Sequence, residues 1–210
     1  MEKIVFTNLP MKKKLHALRY KVDGNSEIDY NGEVIFPINA VLAKTLKKNE
    51  SITVVLLKKL DVEGNSDINV GEFMKELNSI NRTIDANVNY KIIDTPFAED
   101  RDTHEKLLME MIDTLKEKAT IYADITYGPK SLPIVLFSVL NFAEKFFNCD
   151  IKNIVYGKVN FISSEKGENI PSNPILCDMT PLYYLNSVTN SMECKNGEDA
   201  KKMLESLLNF

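Results

Sequence analysis

Residues 51–57 limit what this chain can fold into more than any other stretch. Ile52, Val54, Val55, Leu56 and Leu57 form a near-continuous apolar run without the alternation of a strand that has one wet face. Such a run suits a strand buried on both sides, as in a parallel sheet covered by helices. Helix-period segments flank it: Pro37 opens one carrying Val41, Leu42 and Leu46, and Phe73, Leu77, Ile80 and Ile84 mark another. Strand-like runs at 3–7, 88–93 and 151–161 alternate with helical runs at about 100–118, from Thr180, and at about 198–208. The alternation predicts an α/β fold, Rossmann-like and doubly wound, with a mostly parallel sheet and right-handed crossovers. One insertion is expected. Residues 15–22 alternate through Leu18, Tyr20 and Val22, turn at Asp23-Gly24-Asn25 and return through Ile28 and Tyr30, a β-hairpin after strand 1. Residues 163–174, rich in Ser, Gly, Asn and Pro, read as a loop before a short strand at 175–179.

The stretch 121–142 carries the candidate chemistry. Ile121, Tyr122, Ala123, Ile125 and Thr126 suit a buried strand, Tyr127-Gly128-Pro129 breaks it, and an apolar helix runs on to Phe142. Ser131 is placed to cap that helix, and Pro133 stands where a missing N–H costs nothing. A strand that feeds through a Gly-containing loop into a helix leaves unpaired N–H groups facing one point, with the positive dipole end behind them. Lys130 adds a full charge, which makes 128–131 a candidate anion site. The spacing matches neither the phosphate loop of NTPases nor the three-glycine dinucleotide fingerprint. In a doubly wound sheet, ligands bind beyond the carboxyl ends of the strands, which here means the loops at 8–14, 94–97, 127–131 and 163–173.

With 210 residues the chain can bury one substantial core, and no linker or repeat divides it. A single domain over 1–210 is expected, with its core at about 1–161 and a C-terminal strand and helices at about 174–210. The net charge of −4, from 26 Lys+Arg against 30 Asp+Glu, argues against binding long nucleic acid through a broad positive field. A small anionic ligand needs only a local patch. The run Lys12-Lys13-Lys14 just past the first strand is one in sequence, although it equally suits a solvated face.

Cys149, Cys177 and Cys194 include no CxxC pair, so free thiols in a reducing cytoplasm are expected rather than disulfides or a zinc site. The N-terminus reads as a strand, not a signal peptide, and the apolar run at 132–142 is too short for a membrane span. His16 falls in the hairpin and His104 on the exposed face of a helix; neither lies in a zinc-hydrolase motif. Glu99, Asp100 and Asp102 read as favourable charges at a helix start. No metal and no cofactor is called for.

The string Asp124-Ile-Thr-Tyr-Gly-Pro-Lys-Ser-Leu-Pro133 resembles the signature of CARF domains, the CRISPR-associated Rossmann-fold sensors of type III CRISPR defence. The usual form there is Asp-x-Thr-His-Gly, an aromatic residue, then Arg-x-Leu-Pro. Tyr127, Pro129 and Lys130 depart from it. Lys in place of Arg keeps the charge but gives up the planar fork that grips a phosphate at two points. The stretch from Leu18-Arg-Tyr20 to Ala40-Val-Leu42 resembles that family's hairpin and following helix. Cys177-Asp-Met-Thr-Pro-Leu182 resembles its late strand-to-helix junction. Taken in order, the resemblance covers most of the chain.

What the resemblance implies is a cytoplasmic homodimer that binds a cyclic oligoadenylate, cyclic tetra-adenylate favoured. A ring of identical nucleotides has a twofold symmetry that a twofold dimer cleft can match. Ligand-binding roles would fall to Thr7, Asn8, Thr95, Thr126, Tyr127, Gly128, Pro129, Lys130 and Ser131. The backbone of 128–131 and the Lys130 ammonium would take phosphate, while Thr95 and Tyr127 would meet adenine. Some stand-alone members of the family are metal-independent ring nucleases, and on that alternative Lys130 and Ser131 become catalytic. A Rossmann-like domain that binds another nucleotide is the third reading. The family's effector ribonuclease motif, Arg and then His after four to six residues, does not occur: Arg19, Arg82 and Arg101 are the only arginines, Arg101-Asp-Thr-His104 has the wrong spacing, and no His follows His104. The expectation is a sensor without an output domain.

Overall fold

In the computed structural model, which describes residues 2–96, 98–163 and 169–208, one sheet runs through the whole chain. Its strands are β1 (Lys3–Asn8), β2 (Lys21–Asp23), β3 (Ser51–Lys59), β4 (Asn87–Thr95), β5 (Thr120–Asp124), β6 (Asp150–Ser163) and β7 (Asn169–Asp178). The helices are α1 (Pro37–Thr45), α2 (Asn65–Asn81), α3 (Arg101–Ile112), α4 (Leu132–Phe147), α5 (Thr180–Ser191) and α6 (Gly197–Leu208). The strand order is β2-β7-β6-β5-β1-β3-β4, and every pairing is parallel except β6 with β7.

Period-two alternation divides the core into two halves. Ile4 and Phe6 of β1, with Val55 and Leu57 of β3, face Leu107 and Met111 of α3 and Val139 and Leu140 of α4. Val5, Val54 and Leu56 face the opposite way, toward Val41 and Leu42 of α1 and Phe73 and Leu77 of α2. All of these side chains are buried, and each contributes about 1.5–3 kcal/mol of transfer free energy. The apolar run at 51–57 is thus buried on both sides, as its lack of alternation requires. Among the described residues no helix is long and apolar enough to cross a membrane.

Three local expectations are corrected. The insertion after β1 is not a regular hairpin. Leu18 and Val34 form an isolated antiparallel bridge, Ser26–Ile28 make a turn of 3-10 helix, and β2 joins the sheet edge parallel to β7. Long-range pairing to β7 therefore overrides the local alternation. The expected loop at 163–174 is largely strand, since residues 169–174 belong to β7 and pair antiparallel with β6; residues 164–168 lie outside the described residues. The helix read over about 100–118 stops at Ile112, and Leu115 then packs into the core from a turn.

Winding proceeds from β1 to β3 and β4 on one side, then crosses back to β5 and β6 on the other. The order reverses between β1 and β5, so the crevice expected of such a fold opens beyond the carboxyl ends of those two strands. Asn8 ends β1 there, and Asp124 ends β5.

Candidate ligand-binding site

Thr7 stands opposite Asp124 in the β1–β5 register, and Asn8 follows it at the strand end. Both are almost wholly buried, yet Thr7 Oγ1 and Asn8 Nδ2 have no hydrogen-bond partner among the described residues. A buried polar atom left unpaired costs about 1–3 kcal/mol, and these two belong to successive residues at the switch point; Asn39 Oδ1 in α1 is a third. Gly128 lies directly against Asn8. Its φ of +104° is a conformation that L side chains rarely adopt, and an added Cβ would overlap the Asn8 amide. Gly128 and Lys130 are exposed, Pro129 and Ser131 half-buried. Among the described residues the amides of Gly128, Lys130 and Ser131 have no acceptor, whereas Leu132 N–H and Ile134 N–H are taken by Pro129 O and Ser131 O at 3.1 and 3.0 Å.

Two carboxylates, Asp124 buried and Glu76 half-buried, hold the turn and the start of α1 beside it. Asp124 accepts from Thr126 N–H at 2.8 Å and from Ile38 N–H, in the first turn of α1, at 3.3 Å. Desolvation dominates over those bonds and pushes the Asp124 carboxyl up to about 6. Glu76 of α2 accepts from Ile35 N–H and Phe36 N–H at 2.6 and 3.2 Å and from Asn39 Nδ2 at 2.8 Å, and burial raises its carboxyl too. Thr126 Oγ1 in turn accepts from Gly157 N–H at 2.8 Å, which ties the turn to β6. At Gly157 a Cβ would overlap Pro37, so the glycine permits close approach of β6 to the start of α1.

Ser131 does not cap α4 as expected. Its backbone is helical, it makes no side-chain cap, and its hydroxyl donates instead to Glu99. Glu99 also meets His104 Nε2 at 3.3 Å and the buried Lys59 ammonium at 3.8 Å. The Ser131 bond first, then Lys59 and His104, hold its carboxyl below the usual range. Asp100, by contrast, caps α3 as its position suggested, accepting from Thr103 N–H at 2.8 Å. Thr95 ends β4, two strands from β1, and its hydroxyl donates to Lys58 O at 3.3 Å. Phe97, at the end of the loop 94–97, lies outside the described residues.

Thr126 and Tyr127 open onto a different space. The strap of residues 12–18 lies over β6 and β7 and closes a cavity of about 450 Å3. Lys12, Lys14 and His16 line it from the strap, and Tyr156 and Phe161 from β6. The Tyr127 ring forms part of its floor, while the Tyr127 hydroxyl donates to Ile35 O at 3.3 Å. Burial, with Tyr20, Asp124 and Glu76 nearby, raises that hydroxyl far above the ordinary tyrosine range.

Of the nine residues expected at the site, Thr7, Asn8 and Gly128–Ser131 therefore gather at the crevice. Thr126 and Tyr127 bound the cavity, and Thr95 stands apart. Glu99, Tyr156 and Phe161 were not expected at a site; His16 and His104 were read as structural. For the basic run the only signal was its place after β1.

No family model matches the chain. Over 86 residues, 41% of its length, it is 27% identical to a CRISPR-associated protein of Methanocaldococcus jannaschii. The match spans 13% of that protein's length.

Proposed function

We propose that the protein binds a cyclic oligoadenylate, cyclic tetra-adenylate in the first instance, across a cleft formed by two copies, and acts in type III CRISPR antiviral signalling. The observation that carries this reading is that, among the described residues, the buried Thr7 Oγ1 and Asn8 Nδ2 at the β1–β5 switch point have no partner, with the Asn8 amide packed on the Gly128 turn. Backbone N–H groups at 128–131 and the Lys130 ammonium would take a phosphate there, and the two buried groups would meet its ribose or its oxygens. The CRISPR-associated relative supports the context. Each copy would supply one half of the contacts to a ring of matching symmetry.

A second reading is a metal-independent ring nuclease, favoured by the carboxylate of Glu99 on Ser131. A ribose 2′-oxygen would attack the adjacent phosphorus as the P–O5′ bond breaks, leaving a 2′,3′-cyclic phosphate. Glu99 would accept the 2′-proton, Lys130 would stabilise the charge on phosphorus, and water would protonate the departing oxygen.

Incubation with cyclic tetra- and hexa-adenylate in EDTA, following both binding and ring integrity, separates the readings. Tight binding with an intact ring supports the sensor. Cleavage lost in Lys130→Ala and Ser131→Ala selects the nuclease. If neither ring binds, both readings fall and the third, a Rossmann-like domain for another nucleotide, is the one left.

A further inference from the structure

The cavity under the strap has a chemistry that the crevice reading leaves unused. Its charged lining among the described residues is entirely basic, Lys12 and Lys14 with His16 beside them, in a chain whose net charge is −4. Two aromatic rings at its edge are left in water: Phe161 is 53% and Tyr156 38% exposed. The Lys12 ammonium sits 5.8 Å from the centroid of the Phe161 ring, so cation and π-face already stand together. On the floor, Thr126 Oγ1 accepts from Gly157 N–H at 2.8 Å, and its hydroxyl is also engaged by the Asp124 carboxyl, which fixes this side of the cavity. A volume of about 450 Å3 falls within the range of pockets that take small organic ligands.

We infer that this cavity is a nucleobase subsite. The base stacks on Phe161 and Tyr156, and its phosphate side is held by Lys12 and Lys14. Exposed aromatics interleaved with lysines are the arrangement by which proteins hold unpaired bases, since every base has a π-face and every nucleotide a negative charge. Thr126 and Tyr127 link this space to the 128–131 turn, so a base here and a phosphate at the turn belong to one bound oligonucleotide. The inference rests on the proposed function in that respect, and it extends the site to residues from three separate parts of the chain.

The test uses the full chain with adenosine monophosphate and, separately, ribose 5-phosphate, followed by saturation-transfer NMR and titration. The adenine H2 and H8 protons receive saturation from the wild-type protein. Phe161→Ala and Tyr156→Ala each lower adenosine monophosphate affinity about tenfold and leave ribose 5-phosphate unchanged. Lys12→Ala weakens both probes and flattens the salt dependence. Both rings are exposed, and melting curves of the variants confirm that they fold. No saturation of the base protons, or full adenosine monophosphate affinity in Phe161→Ala and Tyr156→Ala, overturns the subsite. If cyclic tetra-adenylate fails to bind while adenosine monophosphate still depends on Phe161, the messenger reading falls and the subsite stands. If the ring binds and neither aromatic variant changes its affinity, the subsite falls and the messenger reading stands.

Discussion

The crevice and the cavity share one turn and are built on opposite principles. At the crevice the groups that would face a ligand are backbone amides and short buried side chains, fixed by strand ends, by a glycine at positive φ and by the Asp124 carboxylate. In the cavity they are long lysines and exposed rings, brought together by a strap lying over β6 and β7. Backbone donors lose little entropy on binding and tolerate no shift in the chain. Lysines and rings at a surface are adaptable, and their attraction to an anion is screened by salt. On the proposed function, the first arrangement would fix where a phosphate sits and the second would favour a ligand that carries a base. Variants should therefore damage one region and spare the other.

The largest separation is expected from Gly128→Ala. A side chain at φ +104° that also overlaps Asn8 must displace the turn, at a cost of about 1–3 kcal/mol in strain alone. That corresponds to a fall of several degrees in melting temperature for a chain of this size. Cyclic tetra-adenylate affinity should drop by about a hundredfold or more, while adenosine monophosphate binding in the cavity persists. Equal loss of both ligands would show that the two regions are one mechanical unit.

Asp124 tests whether the rigidity of the crevice rests on a buried carboxyl. In the folded chain it keeps its proton up to about pH 6, against an ordinary value of 3.8. The stabilisation due to that proton is complete below the unfolded value and is lost as pH rises through about 6. Stability should therefore fall between about pH 4 and pH 6 and level off above, by on the order of 3 kcal/mol from this group. Glu76, also raised by burial, acts in the same direction, so the measurement is the difference between wild type and Asp124→Asn in urea midpoints across that range. A difference independent of pH would remove Asp124 as the cause.

Thr7→Val should move stability and binding in different directions. The hydroxyl it removes has no partner among the described residues, so the melting temperature should hold or rise slightly. Ring affinity should fall about tenfold, the worth of one hydrogen bond to a charged ligand. A fall in stability with unchanged affinity would make Thr7 a structural residue and leave the crevice without its main support.

The two regions also differ in how far the sequence revealed them. Asp124, Thr126, Gly128 and Lys130 lie within one short string, and the period-two and 3.6-residue patterns around them place that string at a strand end. The crevice was legible for that reason. What was not legible was Asn8 packing on Gly128, or Ser131 turning from the helix cap to Glu99, because both contacts join segments far apart in the chain. The cavity needs Lys12, Tyr156 and Phe161 together, and their juxtaposition depends on β7 pairing antiparallel to β6, where the Ser-, Gly- and Pro-rich composition suggested a loop. Likewise, Val22 alternates like a hairpin strand but pairs with Leu176 at the sheet edge.

The smallest effect expected distinguishes the regions by charge. Among the described residues the cavity has no carboxylate in its lining, whereas at the crevice Glu99 holds the Ser131 hydroxyl that a phosphate would otherwise engage. A carboxylate there competes with the ligand in two ways, by occupying a donor and by repelling negative charge. Lys59 and His104 hold it in place and set the strength of that competition. Glu99→Gln keeps the shape, removes the charge and weakens the hold on Ser131. Cyclic tetra-adenylate should then bind a fewfold more tightly, most clearly at low salt, with adenosine monophosphate in the cavity unaffected. On the sensor reading the variant gains affinity and nothing else changes. On the nuclease reading the same substitution removes the proton acceptor, so that binding tightens while cleavage is lost. Weaker binding in Glu99→Gln would mean that the carboxylate contacts the ligand favourably, as it would in accepting a bond from a ribose hydroxyl.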